Sequence, residues 1–510
     1  MKSHWLDRVT SGIAPAWTLR RQRARAAMDL LARHYEAAGT GRRTQGWRRS
    51  SGDANAVVGP ALTRLRENAR DLVRNNPFAE SALSTIADHA VGTGIIAKPV
   101  PADGRALAAW QAWAETTACD ADNRHDFYGL QKLVMRTVVE SGEVLVRRRI
   151  RRLDDNLPIP MQIQVLDPDF LDTSKDTTGL TGNGRIIQGV EFDGIGRRIA
   201  YWLFPQHPGS SLSTMGASVR VPADSVLHVF RPTRPGQVRA PSWFAPVLLR
   251  FKDFDEFEDA TLMKQKIAAC LAVLTTDPDG SASPLGTADD TQTPVVDSLE
   301  PGMIMNLTPG RDVHVVEPPQ ARDYESYSKT VLRAIATGIG VTYEDLTGSY
   351  ENLPFSAARM SRIRHWARVE DWRWRILIPQ FCDPVWAWAM QAAVIMNQVI
   401  GMPGAEWTAP PPPMVDPVNE GLAYQRNVRT GIQSLSDAIR ERGYDPDTLF
   451  AEMAADNKKL DDLGLVVDSD PRKMTQAGQA QSPLADAPDA RDADATRSRS
   501  SFLTAVGGRQ

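Results

Sequence analysis

Five carboxylates lie within one short stretch of the chain: Asp253, Asp255, Glu256, Glu258 and Asp259. On a helix, residues three or four positions apart share a face, so Asp255 could act with Glu258 or Asp259. Paired carboxylates can hold a divalent cation, since Ca²⁺ and Mg²⁺ prefer oxygen ligands. An ordinary solvated helix face, partly neutralised by Lys252 and Lys264, is the alternative. The residue types alone leave both interpretations open.

A second polar segment, Thr342–Phe355, has no Lys or Arg and lacks regular hydrophobic periodicity. The positions suited to transient contacts are Thr347, Gly348, Ser349, Tyr350 and Asn352. Hydroxyl and amide groups make weaker, more exchangeable contacts to a charged ligand than cationic side chains do. A plain surface turn between two helices is the alternative. Arg359, Arg362 and Arg364 follow on the next predicted helix.

No catalytic motif accompanies these segments. The chain has no GxxxxGK[ST] phosphate loop, no GxSxG nucleophile turn and no HExxH zinc motif. The histidines are scattered without ligand spacing, and Cys119, Cys270 and Cys382 form no CxxC pair. The sequence therefore favours a protein that is not an enzyme and that has no cofactor and no metal site.

The length and charge of the chain limit how many domains it can form and which partners it can bind. A chain of 510 residues can form two or more domains, and a net charge of −3 indicates no overall basic surface. Residues 1–50 nevertheless carry an excess of Lys and Arg, with a helix predicted around Ala14–Tyr35. Such an arm could be flexible, or could touch DNA or an acidic partner. Residues Val385–Ala405 carry no charge, but polar residues, Gly and Pro interrupt them, which favours a buried helix over a membrane span.

Periodicity divides the first half of the chain into helical and strand-rich parts. Residues 61–142 are predicted to be helical, with breaks at Asn75–Pro77, at Gly92–Gly104 and near Asp126. Alternating apolar residues then predict strands at Val144–Ile150, Met161–Leu166, Ile186–Phe192, Arg198–Phe204 and Ser225–Phe230. A long helix over Trp243–Val273 follows. Short strands are expected after it at Met303–Leu307 and Val313–Val316.

The second half is predicted to be mainly helical. A helix from Tyr324 has one apolar stripe, and Gly338 and Gly340 are expected to close it, since glycine accepts the left-handed conformation of a helix end. Ser356 is expected to cap the next helix, which should bend at Pro379 and Pro384. More helices are predicted over residues 418–463, the last beginning at Asp445–Pro446, and residues after Met474 read as a disordered tail.

The segment Tyr324–Arg364 joins a glycine-closed helix, a polar loop and an Arg-rich helix. Four further segments have comparably specific wording: Ala69–Ile95, His228–Ala269, Pro301–Pro309 and Asp416–Gly443. In this order, the segments resemble the portal proteins of tailed bacteriophages, specifically the lambda-like portal family, and together they cover roughly residues 60 to 465. The N-terminal arm, the tail and residues 275–299 do not match.

The resemblance implies an α+β, predominantly α-helical portal fold with wing, stem, clip and crown, assembled as a ring around an axial channel. The implied parts are a basic arm (1–60), wing (61–242), first stem helix (243–273), clip (274–321), second stem helix (322–340), tunnel loop (341–355), long helix with the rest of the wing (356–409), helical crown (410–470) and disordered tail (471–510). Family portals form dodecamers in the virion.

The resemblance also implies function and partners. A portal is a non-enzymatic ring at one capsid vertex through which DNA is packaged and ejected. Its implied partners are further copies of itself, the terminase large subunit, the major capsid or scaffold protein, head-completion connector proteins and the double-stranded DNA in the channel, with no membrane. The implied location is the virion, and the host cytoplasm during assembly. A metal-dependent DNA-processing enzyme that uses the acidic helix is the alternative.

A DNA channel sets its own physical requirements. Fixed phosphate contacts add affinity and hence resist sliding, so the wall should not be strongly basic. The acidic run beginning at Asp253 could form such a wall, and the loop positions from Thr347 to Asn352 could touch passing DNA. Arg359, Arg362 and Arg364 could meet phosphates or the acidic stem of a neighbouring subunit.

Overall fold

The protein is represented by a computed structural model that describes residues 46, 51–180, 184–211, 216–269, 273–276, 304–307, 324–351, 353–467 and 472. The expected arm helix, the strand at Val313–Val316, most of the clip and the tail lie outside these residues. None of the described helices is long and apolar enough to cross a membrane.

Helices predominate in the described part of the chain. They are α1 (Ala54–Val58), α2 (Leu62–Asn75), α3 (Pro77–Val91), α4 (Gly104–Ala114), α5 (Phe127–Ser141), α6 (Leu248–Ala269), α7 (Tyr324–Ile339), α8 (Tyr343–Thr347), α9 (Phe355–Trp372), α10 (Asp383–Ile395), α11 (Pro417–Arg429), α12 (Leu435–Glu441) and α13 (Pro446–Asp462). A π-helical segment, Arg373–Cys382, joins α9 to α10. The expected helix-rich character of the α+β fold is confirmed.

The strands are β1 (Ile96–Val100), β2 (Glu143–Ile150), β3 (Met161–Leu166), β4 (Thr177–Leu180), β5 (Gly184–Ile187), β6 (Val190–Phe192), β7 (Arg198–Leu203), β8 (Val219–Pro222), β9 (Val226–Phe230), β10 (Val273–Thr276), β11 (Ile304–Leu307) and β12 (Gly404–Thr408). They form a three-stranded sheet (β3-β2-β9), a five-stranded sheet (β4 to β8 in order), an antiparallel pair β1–β12 and a parallel pair β10–β11.

Local signals explain several of these boundaries. The break predicted at Asn75–Pro77 is confirmed, since the Asn76 side chain accepts hydrogen bonds from the N–H groups of Phe78 and Ala79, and Pro77 opens α3. The single strand predicted over Ile186–Phe192 is instead the hairpin β5–β6. Its turn residues Gln188 and Gly189 both have positive φ, which a two-residue hairpin turn requires.

Strand β1 lies inside the break predicted at Gly92–Gly104, but the sequence did not predict that the break contains a strand. Its partner β12 lies about three hundred positions further along the chain. Ile96 pairs with Thr408, and Val100 pairs with Gly404. Both segments are therefore strands because they pair with each other across the fold, and not because of their local sequence pattern. The uncharged stretch Val385–Ala405 is helical only up to Ile395, and its last two residues, Gly404 and Ala405, belong to β12.

Helix ends also differ from the predictions. The long helix expected over Trp243–Val273 begins at Leu248 and ends at Ala269, with Val273 already in β10. Gly338 does not close α7 but lies inside it, where a Cβ would stand 2.4 Å from Val247 Cγ1. Gly340, at φ +106°, is the left-handed position beyond the helix end. Ser356 does not cap α9, which begins one residue earlier, after Pro354, without a side-chain cap.

The main core surrounds helices α3, α5 and the π-helical segment. Trp110 is 1% exposed, and its ring centroid lies 5.0 Å from that of Phe127 and 4.8 Å from that of Trp386. Phe127 in turn stacks on Phe381 of the π-helical segment at 5.4 Å. Pro379 lies within that segment. Because proline removes a donor from the α-helical hydrogen-bond ladder, it favours the local change to π-helical hydrogen bonding.

Two buried arginines and one buried carboxylate lie where α5 passes into β2. Gly142 has φ +92°, and a Cβ there would stand 2.4 Å from the Ala240 carbonyl oxygen, so only glycine fits this close crossing. The next residue, Glu143, accepts a hydrogen bond of 2.7 Å from Arg239 Nε and shares one of 2.8 Å with His228 Nε2. Arg66 approaches the same carboxylate at 3.5 Å. These residues, Arg66, Glu143, His228 and Arg239, form the buried charge cluster.

The buried charge cluster predicts how stability depends on pH. Burial alone would raise the pKa of Glu143, but Arg239 and His228 outweigh it and lower that pKa below 4.5. Burial lowers the pKa of His228 below 6.5, despite its bond to Glu143. Both groups therefore bind protons more readily in the unfolded chain, so stability is expected to fall as pH drops below about 6.5, and further below about 4.5.

Thermal unfolding followed from about pH 8 to about pH 4 tests this dependence. His228→Gln should reduce the slope of the profile between about pH 7 and pH 5, because the contribution of His228 is then absent, whereas His89 and His365, whose pKa values burial also lowers, still contribute. His125→Gln makes the same substitution at an exposed position and is the variant with which His228→Gln is compared. A His228→Gln profile as steep as the wild type would contradict the assignment.

Candidate functional site

The acidic run on α6 divides into two sets. Asp253, Glu256 and Asp259 are exposed, and Lys252 lies 3.7 Å from Glu256. The other two carboxylates are partly buried and bound to neighbouring elements. Asp255 accepts a 2.7 Å hydrogen bond from Asn76 Nδ2, and Glu258 accepts one of 3.0 Å from the Tyr324 hydroxyl.

This division bears on the alternative in which carboxylates of α6 bind a metal ion. Burial raises the pKa of Asp255, although the hydrogen bond from Asn76 acts in the other direction. Asp255 faces the start of α3 while Glu258 faces the start of α7. Within the described ranges, the groupings of His, Cys, Asp and Glu with metal-binding geometry lie elsewhere and include no residue of α6. No observation on α6 thus favours a metal-dependent catalytic site.

Helices α6 and α7 pack side by side in opposite directions. Val247, just before α6, lies against Gly338 near the end of α7. One end of the contact is aromatic, with Phe257 stacked on Tyr324 at 5.9 Å and lying 4.3 Å from Tyr327. The missing side chain at Gly338 lets Val247 approach α7, and the aromatic rings pack together at the other end of the contact. The pair presents the exposed carboxylates of α6 on its outer surface.

The segment predicted as a loop from Thr342 to Phe355 is partly helical. Thr342 caps α8, accepting a 3.0 Å bond from the Asp345 N–H, and Gly348 closes the helix with φ +68°. Thr347 is engaged internally, because its hydroxyl donates to the Tyr343 carbonyl at 2.8 Å and accepts from the Ser349 N–H at 3.3 Å.

The remaining candidates on this segment form its outward tip. Gly348 and Tyr350 are exposed, Tyr350 to 64%, and Ser349 is half-buried. Asn352 lies outside the described residues. At the base, the buried Leu346 and the 3.0 Å bond from Ser81 Oγ to the Leu346 carbonyl hold α8 on α3. The segment therefore has a base, α8, that is held on α3, and a tip, from Gly348 to Tyr350, that reaches the surface.

The three candidate arginines on α9 have different surroundings. Arg359 and Arg364 are exposed, whereas Arg362 is half-buried and its Nε has no hydrogen-bond partner among the described atoms. Within the part of the chain that the structure describes, no carboxylate lies within 4.0 Å of any of them. Arg359 nevertheless contributes to lowering the pKa of Asp416, and Arg362 lines a cavity with His89 and Asp345.

The structure also joins two histidines that the sequence analysis treated as scattered. His89 Nδ1 on α3 and His365 Nε2 on α9 are 2.8 Å apart, although 276 positions separate them in the chain. The Asp345 carboxylate of α8 joins this pair. Burial lowers the pKa of both imidazoles, that of His365 to about 4. No local spacing could have revealed this grouping, since each residue comes from a different helix.

A second grouping, Asp167, Asp169 and His207, differs in its charge balance. Asp167 forms an ion pair with Arg70, and Asp169 forms ion pairs with both Arg66 and Arg70. The carboxylates are thus already neutralised by guanidinium groups. These ion pairs hold α2 against the turn after β3. Because the carboxylates are already paired with arginines, the grouping is poorly suited to bind a cation.

The chain combines paired long helices with an exposed acidic face, a short tethered helix beside an Arg-rich helix, and a mixed helix-and-sheet body, and its sequence places it among the portal proteins. Residues 40–373 match the family described as phage portal protein, lambda family, and the chain belongs to this family. The resemblance found in the sequence is therefore confirmed, and with it a phage portal role.

Relatives support the same assignment over nearly the whole chain. The chain is similar to a probable portal protein of Halomonas phage phiHAP-1, at 26% identity over 91% of this chain and 93% of the relative. It is similar to the portal protein of Escherichia phage N15, at 24% identity over 85% and 91%. Portal protein B of Escherichia phage lambda is 23% identical over 85% and 90%.

Solved structures give a weaker likeness. One chain from the neck of a native GTA particle computed with C12 symmetry matches with a TM-score of 0.39 and 13% identity, over 74% of this chain and 94% of that chain. Another, from the virion of a native gene transfer agent particle, matches with a TM-score of 0.39 and 12% identity, over 81% and 98%. The family assignment does not depend on them.

Proposed function

We propose that this chain forms a ring, dodecameric in the virion, at one capsid vertex, and that DNA enters and leaves through its axial channel. Helices α6 and α7 would form the stem, and the tip from Gly348 to Tyr350 would approach the DNA. The ring would act without enzymatic activity. The observation that carries the proposal is the exposed acidic face of α6 in a chain of the lambda portal family.

The exposed carboxylates suit a surface along which a polyanion slides. Asp253, Glu256 and Asp259 recur every third residue along α6, and in a ring each would be repeated by every subunit. Repulsion between them and the phosphates opposes binding at fixed positions, which keeps friction low. Asp255 and Glu258 instead hold α6 on its neighbours, which keeps the outer set in place.

The tip and the arginines would have separate tasks. Ser349 and Tyr350 can make weak, exchangeable contacts to passing DNA. Arg359 and Arg364, exposed and without an ion pair among described residues, would meet the acidic stem of the adjacent subunit. Residues 274–321 would dock the terminase large subunit and later the head-completion proteins, and the body would contact the capsid or scaffold protein.

Electron microscopy of the purified full-length protein, with its mass measured in solution, tests the ring directly. Rings with a central hole wide enough for duplex DNA are the expected result. A monomer or dimer that persists across salt and protein concentrations would contradict the proposal.

Charge reversal tests the acidic face. The variant Asp253→Lys/Glu256→Lys/Asp259→Lys should still fold, because these side chains are exposed, and the comparison uses the fraction of the protein that assembles into rings. Its rings should bind duplex DNA more tightly, and the slope of log K against log salt should steepen by about 0.9 for each new phosphate contact. Packaging of DNA into capsids should fall correspondingly. Fluorescence titration at several salt concentrations gives the slope.

A control with the same charge change separates position from net charge. Glu67→Lys/Glu115→Lys/Asp154→Lys places three lysines at exposed positions of the body. This control should leave packaging near the wild-type level. Equal loss of packaging in both variants would contradict a specific role for α6.

A further inference from the structure

We propose that His89, Asp345 and His365 form a binding site for one Zn²⁺-like transition-metal ion. The three residues come from α3, α8 and α9, so one ion would join three helices at a single point. The inference stands apart from ring formation, because every ligand belongs to one chain.

The positions of the donor atoms support the site. His89 Nδ1 and His365 Nε2 are 2.8 Å apart, and both lie within 4.8 Å of an Asp345 carboxylate oxygen. Two imidazole nitrogens bound tetrahedrally to zinc at about 2.0–2.1 Å are about 3.3 Å apart. The pair therefore needs to open by only about half an ångström. The ion would replace the hydrogen bond that now joins the two rings.

The surroundings of the ligands resemble those of built metal sites. The Thr342 hydroxyl donates a 2.8 Å hydrogen bond to Asp345 Oδ2, which orients that carboxylate. His365 is 3% exposed, so an ion bound to its Nε2 would be shielded from solvent on that side. A cavity of about 210 Å³ is lined by all three ligands and supplies both an entry path and room for a water ligand.

The donor set selects the class of ion. Two neutral imidazoles and one carboxylate suit zinc and similar transition metals, whereas Mg²⁺ and Ca²⁺ prefer oxygen alone. Three protein ligands leave one position open, as in zinc sites that keep a water. The Arg362 guanidinium lines the same cavity and opposes a cation there. Removal of that charge should therefore tighten binding.

Such an ion would stiffen the segment between α7 and α9. Asp345 lies on α8, the base of the exposed tip, while His89 and His365 lie on long helices. A bound metal ion would fix the position of α8 relative to α3 and α9, and would so limit the movement of the tip from Gly348 to Tyr350.

Titration of the metal-free, full-length protein with Zn²⁺ in competition with a chromophoric chelator tests the site. One ion per chain is expected for the wild type. His89→Gln and Asp345→Asn should each weaken the affinity by about 100-fold or more, since even outer contacts to a metal site are worth 10- to 100-fold. Arg362→Gln should bind more tightly. His125→Gln, at an exposed histidine outside the site, should bind as the wild type does.

Two results would overturn the site. The first is a wild type that binds no Zn²⁺, and the second is a His89→Gln/His365→Gln double variant that binds as well as the wild type. If the variants do not fold, modification of the wild type by diethylpyrocarbonate decides. Zn²⁺ should protect the half-buried His89 and leave the exposed His125 reactive, as read by mass spectrometry. Equal reactivity of His89 with and without Zn²⁺ excludes the site.

Discussion

Replacing Glu143 by Gln is expected to lower the free energy of unfolding by about 3–5 kcal/mol, the range for removing one partner of a buried ion pair. Glu143 is fully buried, and so is Arg239, at 1% exposure. The amide keeps the volume but leaves the charge of Arg239 in the core without a counter-ion, whereas Arg66 keeps its ion pair with Asp169. Denaturant titration at one fixed protein concentration measures the loss, since association also stabilises folded chains.

Glu115→Gln is the matched control, because Glu115 is exposed and its replacement removes the same charge from the surface. Its effect should stay within about 0.5 kcal/mol. A second comparison separates the charge from the packing. Glu143→Leu combined with Arg239→Leu should be less harmful than Glu143→Gln, since no isolated charge remains in the core. A loss below about 1 kcal/mol for Glu143→Gln would contradict the importance of the pairing.

Replacing Arg373 by Met is expected to cost at least about 2–3 kcal/mol, because it leaves buried carbonyl groups unpaired. Arg373 is 1% exposed and donates to the carbonyl oxygens of Ala90 at 2.7 Å, His89 at 2.8 Å and Pro410 at 2.9 Å. The first two belong to the last turn of α3, where carbonyl groups have no partner inside the helix. The guanidinium thus closes α3 and ties the Pro410 segment to it.

Two variants give this expectation its controls. Arg373→Lys keeps the charge but cannot reach several acceptors with one ammonium group, so an intermediate loss is expected. Arg375→Met, at a side chain that is 79% exposed, should change the free energy of unfolding by no more than about 0.5 kcal/mol. Equal losses for Arg373→Met and Arg375→Met would show that the carbonyl contacts contribute nothing.

Much of the secondary structure could be predicted because its causes are local. The break at Asn76 and Pro77 follows from a capping side chain and a proline, both visible in the sequence. Met161–Leu166 was predicted with its observed bounds, and the helix beginning at Asp445 and Pro446 was also predicted. The order of segments such as Tyr324–Arg364 was enough to indicate the lambda portal family.

Tertiary contacts decided what local patterns could not. Strand β1 exists because β12 pairs with it from a distant part of the chain, and Gly338 is needed for the approach of Val247 rather than to end a helix. The five acidic residues of α6 look equivalent in the sequence, yet Asn76 and Tyr324 remove two of them from the exposed face.

The sequence by itself determined the family, the helix-rich α+β class and most element positions, because these depend on residue order, hydrophobic period and caps. Only the tertiary structure decided which polar side chains meet. Glu143 and Arg239, or His89 and His365, become neighbours through the packing of elements that are far apart in the chain. The energy of such contacts depends on burial and distance, and neither quantity is encoded in the spacing of residues along the chain.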